Sequence, residues 1–339
     1  MKRPISAVVV VAQIARGTAG SLPLVLLDTV PSAIAASLSD PLAADQQSDR
    51  AQNLDDAIDA ALDAAEARKA ANAPPAAPKE FSVRINAPLY YNSNILLGQS
   101  GLEGNPEIAL GWSPNWTSLP FKPTVKLKEE SDRYTNVPQA SQDQASGSFR
   151  LSYFDATDDQ AWAPFFSYKL EAIYGATFSP WLETKNDFNL GFDKLFSFDD
   201  NFRPLPDAAN SRGVATWTLG LTAYVQRRVR TSPSNSLALY VVPSATYVPS
   251  SDWIISLTME TWERWYQSVL AKPISRRDFE INPILAIAYD PSTLLGGHNA
   301  LGSPQIALEI GFDNRSSSVV NKSFKQWTLG PVLSVKWKF

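Results

Sequence analysis

The chain has 339 residues, a mean hydropathy of -0.17 and a formal net charge of -4. No apolar run approaches the roughly 20 residues that a membrane-spanning helix needs, and the acidic balance argues against nonspecific binding to nucleic acid, which requires a basic surface. Cysteine is absent and His298 is the single histidine, which excludes thiolate metal sites and cysteine nucleophiles. We therefore expect no cofactor and no metal.

Residues 1–36 have the features of a secretory signal peptide. Lys2 and Arg3 form a basic start, two apolar stretches follow, and small residues precede residue 37. That order of basic, apolar and small residues is what export signals share. We predict cleavage after residue 35 or 36; an earlier cut after Ala19 and a buried N-terminal helix are the alternatives.

Residues 37–79 are predicted to form a periplasmic helix followed by a proline-rich linker. Within 51–73, Leu54, Ile58 and Leu62 recur at helical spacing among alanine and aspartate, which favours an amphipathic helix. Three prolines then end the helix. The helix could pair as a short coiled coil, lie across the mouth of the following domain as a plug, or remain a solvated tail.

From Phe81 onward the hydrophobic period changes to two. Phe81, Val83 and Ile85 alternate with Ser82 and Arg84, as in a strand with one apolar and one polar face. Similar segments recur to the end of the chain and give about twelve strands, an even number as bacterial membrane barrels require. The segments are 81–92, 107–112, 119–128, 148–154, 162–174, 187–196, 214–228, 235–248, 252–265, 279–289, 304–312 and 324–339.

The connections between these strands are expected to alternate in length. If the first strand runs outward, the periplasmic turns are short, at 113–118, 155–161 and 249–251. Long polar outward loops are then expected at 92–105 and 129–147. This alternation is typical of outer-membrane barrels, although 199–212 and 290–303 would be long turns on the periplasmic side.

A soluble β-sandwich is the alternative for such a series of strands. Many of the predicted strands have about 10 to 14 residues, longer than the five or six that are usual in soluble sheets. Their apolar faces also carry no charge, as at Trp217, Leu219 and Leu221, or at Trp253 and Ile255. Both features favour a barrel in lipid, where backbone groups must be satisfied within a closed sheet.

The final segment, 327–339, has an apolar or ring side chain at every second position and ends on Phe339. It resembles the last strand of Gram-negative outer-membrane β-barrels of the porin or channel type, which the barrel assembly machinery recognises. The resemblance implies an all-β, up-and-down antiparallel transmembrane barrel at 80–339, in contact with outer-membrane lipids and lipopolysaccharide. The residues that would form the assembly signal are Leu333, Val335, Trp337 and Phe339.

If the apolar set faces lipid, the other set lines the lumen, where the charges separate by strand. A basic arc is predicted from Arg84, Lys122, Lys126, Lys128, Arg150, Lys169, Lys336 and Lys338. An acidic arc is predicted from Asp187, Asp193, Glu260, Asp278, Glu280 and Glu309, with Arg228 and Arg264 as exceptions. Lumen aromatics that could pack or stack on solutes are Tyr90, Phe165, Tyr224 and Tyr240.

Opposed charge of this kind resembles the constriction of general diffusion porins, since arcs of charged side chains select ions and orient polar solutes. We predict a channel for passive diffusion of small polar solutes or ions. The alternative is a closed barrel whose charges pair across a filled lumen and which serves as an envelope scaffold.

An enzyme that modifies lipids is a further alternative, because some twelve-stranded outer-membrane barrels are lipid hydrolases. A serine hydrolase needs a histidine beside its serine, and His298 lies in a predicted turn without the sequence pattern of that family. A surface role for His298 is therefore favoured. Five arginines near one rim could bind lipopolysaccharide phosphates: Arg227, Arg228, Arg230, Arg276 and Arg277.

Overall fold

The computed structural model describes residues 79–339 apart from a set of short segments in the connections. The segments outside the description are 97, 115, 117–118, 156–157, 159, 206–214, 232–234, 268–275, 293, 295–301 and 320–321. The predicted signal peptide, the predicted helix at 51–73 and His298 all lie outside the described residues. In the described part no helix is long and apolar enough to cross a membrane, a finding that does not bear on spans made of strands.

The described residues form thirteen strands, joined by turns and two short 3-10 helices at Pro138–Ala140 and Ala176–Phe178. The strands are β1 (Phe81–Leu96), β2 (Gln99–Gly104), β3 (Glu107–Trp112), β4 (Phe121–Tyr134), β5 (Gln142–Tyr153), β6 (Ala163–Gly175), β7 (Trp181–Phe198), β8 (Trp217–Arg230), β9 (Ser236–Ser250), β10 (Trp253–Tyr266), β11 (Arg277–Tyr289), β12 (Ser303–Ser317) and β13 (Phe324–Lys338).

The sheet closes on itself. Consecutive strands from β3 to β13 pair antiparallel, and β13 also pairs with β1, where Ser82 faces Lys338. β2 and β3 both pair with β1 and with β4, and only Asn105 and Pro106 separate them. These two segments therefore occupy one position in the sheet, so the described residues form a closed up-and-down barrel of twelve positions, as predicted.

The two ends of the barrel are distinguished by the connections that they carry. We call the end that holds Phe81 and Phe339 the terminal end; there the backbone nitrogen of Phe339 donates to the carbonyl oxygen of Phe81 at 2.8 Å. The opposite, far end begins with the β1 to β2 turn, where Gly98 has φ +88. The backbone nitrogen of Gly98 donates to Oδ1 of Asn94 at 2.7 Å, and this hydrogen bond stabilises the turn.

The prediction of long outward loops at 92–105 and 129–147 is wrong. β1 continues to Leu96, β2 follows at once, β4 extends to Tyr134 and β5 begins at Gln142. The polar residues of these segments are not solvated loop residues but alternate into the barrel interior: Asn92, Glu103, Glu130, Asp132 and Asp143 are buried. In a barrel with a wet interior, polarity alone does not distinguish a strand from a loop.

The polarity of the barrel is inverted relative to a soluble protein. Large apolar side chains are exposed on the outer surface, among them Leu127, Leu190 and Leu333, which are 54%, 68% and 54% exposed. Inside, the largest fully buried side chains include Arg264 and Arg315. An apolar outer wall around a charged interior suits a protein whose outer solvent is lipid, and it confirms the predicted assignment of the two faces.

Two glycines lie where the backbone of a neighbouring strand approaches closely, beside Tyr90 and Tyr224. A Cβ atom on Gly330 would lie 2.0 Å from the carbonyl oxygen of Leu89 and 2.7 Å from Cα of Tyr90. At Gly191 the same atom would lie 2.2 Å from the carbonyl oxygen of Ala223 and 2.4 Å from Cβ of Tyr224. Since these contacts involve backbone, a side chain at either position would force the strands apart.

We expect Gly330→Ala to lower the free energy of unfolding by about 1–3 kcal/mol, the usual cost of overpacking. Urea titration of the barrel refolded in lipid vesicles measures the loss. Gly104→Ala is the matched control, because the nearest atom to its Cβ would be 4.0 Å away. Equal unfolding midpoints for the two variants would show that the close approach at Gly330 has no energetic consequence.

Candidate functional site

The lumen contains a cavity of about 740 Å³ at the terminal end of the barrel. Lys79, Glu80 and Ser113, which lie just outside the strands at this end, contribute to its lining, so the cavity opens there. Deeper lining residues come from β4 to β10 and from β13. We call this cavity the vestibule.

One side of the vestibule is a basic wall, formed by Lys126, Arg150, Lys336 and Lys338. These residues lie on β4, β5 and β13, and β1 and β3 separate β13 from β4, so the wall covers five neighbouring positions. Arg84 on β1 is buried behind this wall and directly opposes Lys336 in the strand register.

The facing strands, β7 to β9, present a mainly uncharged wall. Its lining includes Asn189, Thr222, Tyr224 and Ser244, together with the carboxylate of Asp193. Arg150 reaches across to donate to Asp193, which also accepts from Oγ1 of Thr222 at 2.8 Å. The single acid on this wall is therefore already neutralised.

Aromatic rings form the inner boundary of the vestibule. Tyr224 and Tyr240 stack with ring centroids 4.5 Å apart and an interplanar angle of 7°, and both line the cavity. Trp262 follows, 6.2 Å from Tyr240, and is fully buried. The guanidinium carbons of Arg264 and Arg315 lie 4.6 and 4.8 Å from the centroid of the Trp262 ring, within the range of cation–π attraction.

Beyond these rings, the far half of the lumen is filled by ion pairs. Arg228 donates to both carboxylate oxygens of Asp187 at 2.7 Å. Arg230 binds Glu183 at 2.7 to 3.0 Å, and Nε of Arg315 donates to Glu280 at 2.5 Å. All of these side chains are 7% exposed or less. Buried charges must be paired to be tolerated, so each pair holds its two strands in register.

Some buried polar atoms of this half have no hydrogen-bond partner among the described residues. They are Nη1 and Nη2 of Arg315, Nε1 of Trp262, the hydroxyl oxygen of Tyr266 and Oδ1 of Asn282. An unsatisfied buried donor or acceptor costs about 1–3 kcal/mol unless water binds it, and polar cavities are normally hydrated. We therefore expect ordered water among these side chains.

A closed antiparallel barrel leaves no sheet edge to lipid, and here it encloses charge within an apolar outer wall. The chain is a β-barrel of the outer-membrane type. This fold places it in the bacterial outer membrane, with its outer wall in contact with lipid.

No family model and no curated protein matches the chain. Among solved structures, the barrel is similar to an outer-membrane channel from Pseudomonas putida F1, at 10% identity and a TM-score of 0.45 over 78% of this chain and 98% of that chain. The translocator domain of autotransporter NalP from Neisseria meningitidis is 10% identical, with a TM-score of 0.43 over 89% of this chain and 100% of that chain. The KdgM porin in complex with disordered oligogalacturonate is 9% identical, with a TM-score of 0.34 over 76% of this chain and 99% of that chain. A likeness at this level concerns the fold alone.

The predicted basic residues all lie on strands of the barrel with their side chains directed inward, but their surroundings differ. Lys126, Arg150, Lys336 and Lys338 line the vestibule. Lys128 binds Glu107 at 3.4 Å and Glu130 at 2.7 Å, and Lys169 binds Glu171. Lys122 lies over the ring of Phe154 at 3.4 Å, and Nε of Arg84 donates to Oδ1 of Asn86 at 2.9 Å.

Of the predicted acidic residues, Asp193 lines the vestibule and the others are buried outside its lining. Asp187, Asp278 and Glu280 pair with Arg228, Arg276 and Arg315. Glu309 accepts from the hydroxyl group of Tyr90 at 2.6 Å, and Glu260 is buried on β10. Most of the acidic set therefore lies deeper in the lumen than the four cations of the basic wall instead of facing them across one opening. Lys128 and Lys169 of the basic set lie among acids in the far half.

Several charged residues near the far end line the lumen although the sequence pattern did not lead us to predict it. Glu103, Glu130 and Asp132 lay in or beside the segments that were expected to be loops, and they are buried beside the predicted basic arc. Asp132 accepts from the amides of Asn105, Gln142 and Gln144 at 2.8 to 2.9 Å. Their period-two spacing with the strand residues before them was the signal that could have identified them. Other charges that were missed are Glu107, Asp143, Glu183, Lys185, Arg230 and Arg315.

The five rim arginines do not form one lipid-facing cluster, so that expectation is wrong. Arg228 and Arg230 are directed into the lumen, where they bind Asp187 and Glu183. Arg227 directly precedes Arg228 in sequence and therefore lies on the opposite face of β8. Arg276 stacks on Tyr266 at 4.2 Å, and the largely exposed Arg277 pairs with Glu263.

Proposed function

We propose that the barrel is an outer-membrane channel for the passive diffusion of small polar solutes or ions. The observation that carries this proposal is the vestibule, which opens at the terminal end and is lined by charged and hydroxyl side chains within the membrane wall. Such linings replace part of the hydration of a polar solute and select it by charge. The bacterial barrel rule places both chain ends in the periplasm, so the vestibule faces that side.

We infer that the narrow part of the path is the group of Tyr240, Trp262, Arg264 and Arg315, because these large side chains are buried in the lumen and lie close to one another. Its ring and guanidinium groups fill the lumen beside the vestibule, so a solute must pass them to reach the far end. Since these side chains are held by ion pairs and stacking, only small hydrated solutes are expected to cross.

Single-channel recording of the refolded chain in a planar bilayer under a salt gradient tests the proposal. Discrete conductance steps are expected. A barrel that inserts, resists trypsin as a folded barrel does, and yet stays electrically silent would overturn it.

A closed envelope scaffold is the second candidate, and the buried ion pairs of the far half favour it. Paired charges that fill a lumen need not conduct. A silent barrel would support the scaffold, and hydrolysis of vesicle phospholipid by such a barrel would instead support a lipid-modifying enzyme.

We also propose that residues 1–36 direct export and that β13 is the strand that the assembly machinery recognises. Leu333 and Phe339 are 54% and 66% exposed on the outer surface, so their side chains contribute little to the packing of the folded barrel.

Phe339→Ser is therefore expected to reduce the amount of barrel in the outer membrane of cells without lowering the urea midpoint of the refolded protein. A loss of that midpoint as large as the loss in cells would assign Phe339 a structural role instead.

A further inference from the structure

We propose that the vestibule is a binding site for small neutral saccharides of one or two sugar rings. This inference rests on the proposed channel function and names the class of solute that enters the cavity. The first argument is the position of the hydroxyl groups. Ser82 on β1 and Thr124 on β4 line the vestibule from one side, and Ser244 on β9 and Thr258 on β10 line it from the other. A solute in the cavity is therefore surrounded by groups that both donate and accept hydrogen bonds.

These four hydroxyl groups do not support the fold through hydrogen bonds. Within the part of the chain that the structure describes, none of the four forms a side-chain hydrogen bond, and none is a buried atom without a partner. Their oxygen atoms therefore meet the water of the cavity. At the far end, by contrast, Oγ of Ser317 donates to Asp278 at 2.6 Å. A solute that replaces cavity water must restore the hydrogen bonds of that water, and a sugar does so with its own hydroxyl groups.

The second argument is the space that two glycines leave beside these serines. Gly111 directly opposes Ser82 and Gly220 directly opposes Ser244, and both glycines line the cavity. A Cβ atom on either glycine would lie 2.5 Å from Oγ of the opposing serine. Each serine hydroxyl group therefore occupies space that a side chain on the glycine would take, and the lumen stays wide at both positions.

The third argument is the ion pair of Arg150 and Asp193, which joins β5 to β7. Both residues line the vestibule, and their side chains are 32% and 34% exposed, so part of the pair is open to the cavity. A guanidinium group donates along several directions and a carboxylate accepts with two oxygens. Such a pair can bind neighbouring hydroxyl groups of one sugar ring and requires no net charge on the solute.

Most lysines of the lining already have partners, so the cavity does not require an anionic solute. Nζ of Lys194 donates to the carbonyl oxygen of Gln160 and lies 5.7 Å from the ring centroid of Trp162 and 5.2 Å from that of Phe196. Its ammonium group is thus held outside the cavity. The other lysines that interact with a further group are Lys126, Lys336 and Lys338.

The size of the vestibule and its inner boundary limit the solute further. A volume of about 740 Å³ lies within the range of small-molecule sites, about 300–1,000 Å³. Tyr224 forms part of the boundary and is only half-buried, so its ring offers an apolar surface to the C–H groups of a sugar. Tyr240 and Trp262 lie behind it and are almost fully buried. A compact solute of one or two rings fits this space.

Isothermal titration of the full chain, refolded in a detergent without a sugar headgroup, tests the site without reference to conduction. Glucose and maltose are the neutral probes with one and two rings, and citrate is the anionic probe. Saturable binding of glucose, maltose or both is expected, and citrate is expected to bind more weakly than either. Ser244→Ala/Thr258→Val removes two hydroxyl groups and little volume, so sugar binding is expected to weaken about tenfold. Ser82→Ala/Thr124→Val repeats the test on the opposite side of the cavity.

The matched control is Thr261→Val/Ser316→Ala, which removes the same two kinds of hydroxyl group from lipid-facing positions of β10 and β12. Weaker sugar binding in the vestibule variants alone supports the site. Unchanged binding in those variants, an equal loss in the control, no sugar binding by the unchanged chain, or tighter binding of citrate overturns it. A barrel that binds sugar but conducts no current contradicts the channel and leaves the site standing, whereas a conducting barrel without sugar binding contradicts the site alone.

Discussion

Trp262→Ala is expected to raise the single-channel conductance of the barrel severalfold. The indole is fully buried in the lumen, between the tyrosine stack of the vestibule and the guanidinium groups of Arg264 and Arg315. Its removal is expected to widen the lumen at this depth, and it leaves both guanidinium groups without the ring that they face. The same change is expected to lower the free energy of unfolding by about 3–5 kcal/mol, the usual cost of removing a large buried side chain.

Trp265→Ala is the matched control for this experiment. Trp265 lies on the same strand three residues further along, and because side chains alternate across a strand it faces lipid, with 39% of its surface exposed. Planar-bilayer recording measures the single-channel conductance of both variants, and so compares the loss of an indole in the lumen with the loss of one that faces lipid. Unchanged conductance in Trp262→Ala, or an equal rise in the control, would show that Trp262 does not restrict the path. Trp262→Leu serves if the alanine variant does not refold.

Arg228→Met is expected to destabilise the barrel by about 3–5 kcal/mol, because it leaves the buried carboxylate of Asp187 without its partner. Arg228 is 1% exposed and bonds to both oxygens of that carboxylate. Urea titration in vesicles measures the change. The double variant Arg228→Met/Asp187→Leu removes both charges and is expected to recover most of the lost stability, since replacing a buried pair with apolar groups is often neutral.

The exposed pair of Arg277 and Glu263 supplies the comparison. The side chain of Arg277 is 64% exposed, and surface ion pairs contribute about 0–1 kcal/mol, so Arg277→Gln is expected to shift the unfolding midpoint only slightly. Equal losses in Arg228→Met and Arg277→Gln would contradict the conclusion that the far half of the lumen is held together by its buried ion pairs.

The residues of a strand that face lipid and those that face the lumen could be predicted from the sequence, because this assignment depends only on the alternation of apolar and polar side chains along the strand. In β13, Leu329 and Leu333 are exposed to lipid while Thr328 and Ser334 are buried in the lumen, as the alternation requires. The extent of β4 and β5 could not be predicted in the same way. Their far ends carry buried charges such as Asp132 and Asp143, and a run of polar residues is also what an exposed loop contains.

The amino-acid sequence by itself determined the class of fold, the twelve positions of the sheet and the inward direction of most charges in the predicted strands, since period-two alternation and strand order are local properties. Only the tertiary structure decided which charges meet. Register placed Arg228 of β8 directly opposite Asp187 of β7, and closure of β13 on β1 placed Lys336 opposite Arg84. Depth along the barrel depends on strand register and tilt, which the alternation of one strand does not specify. The separation of the lumen into a basic vestibule and an ion-paired half follows from that depth.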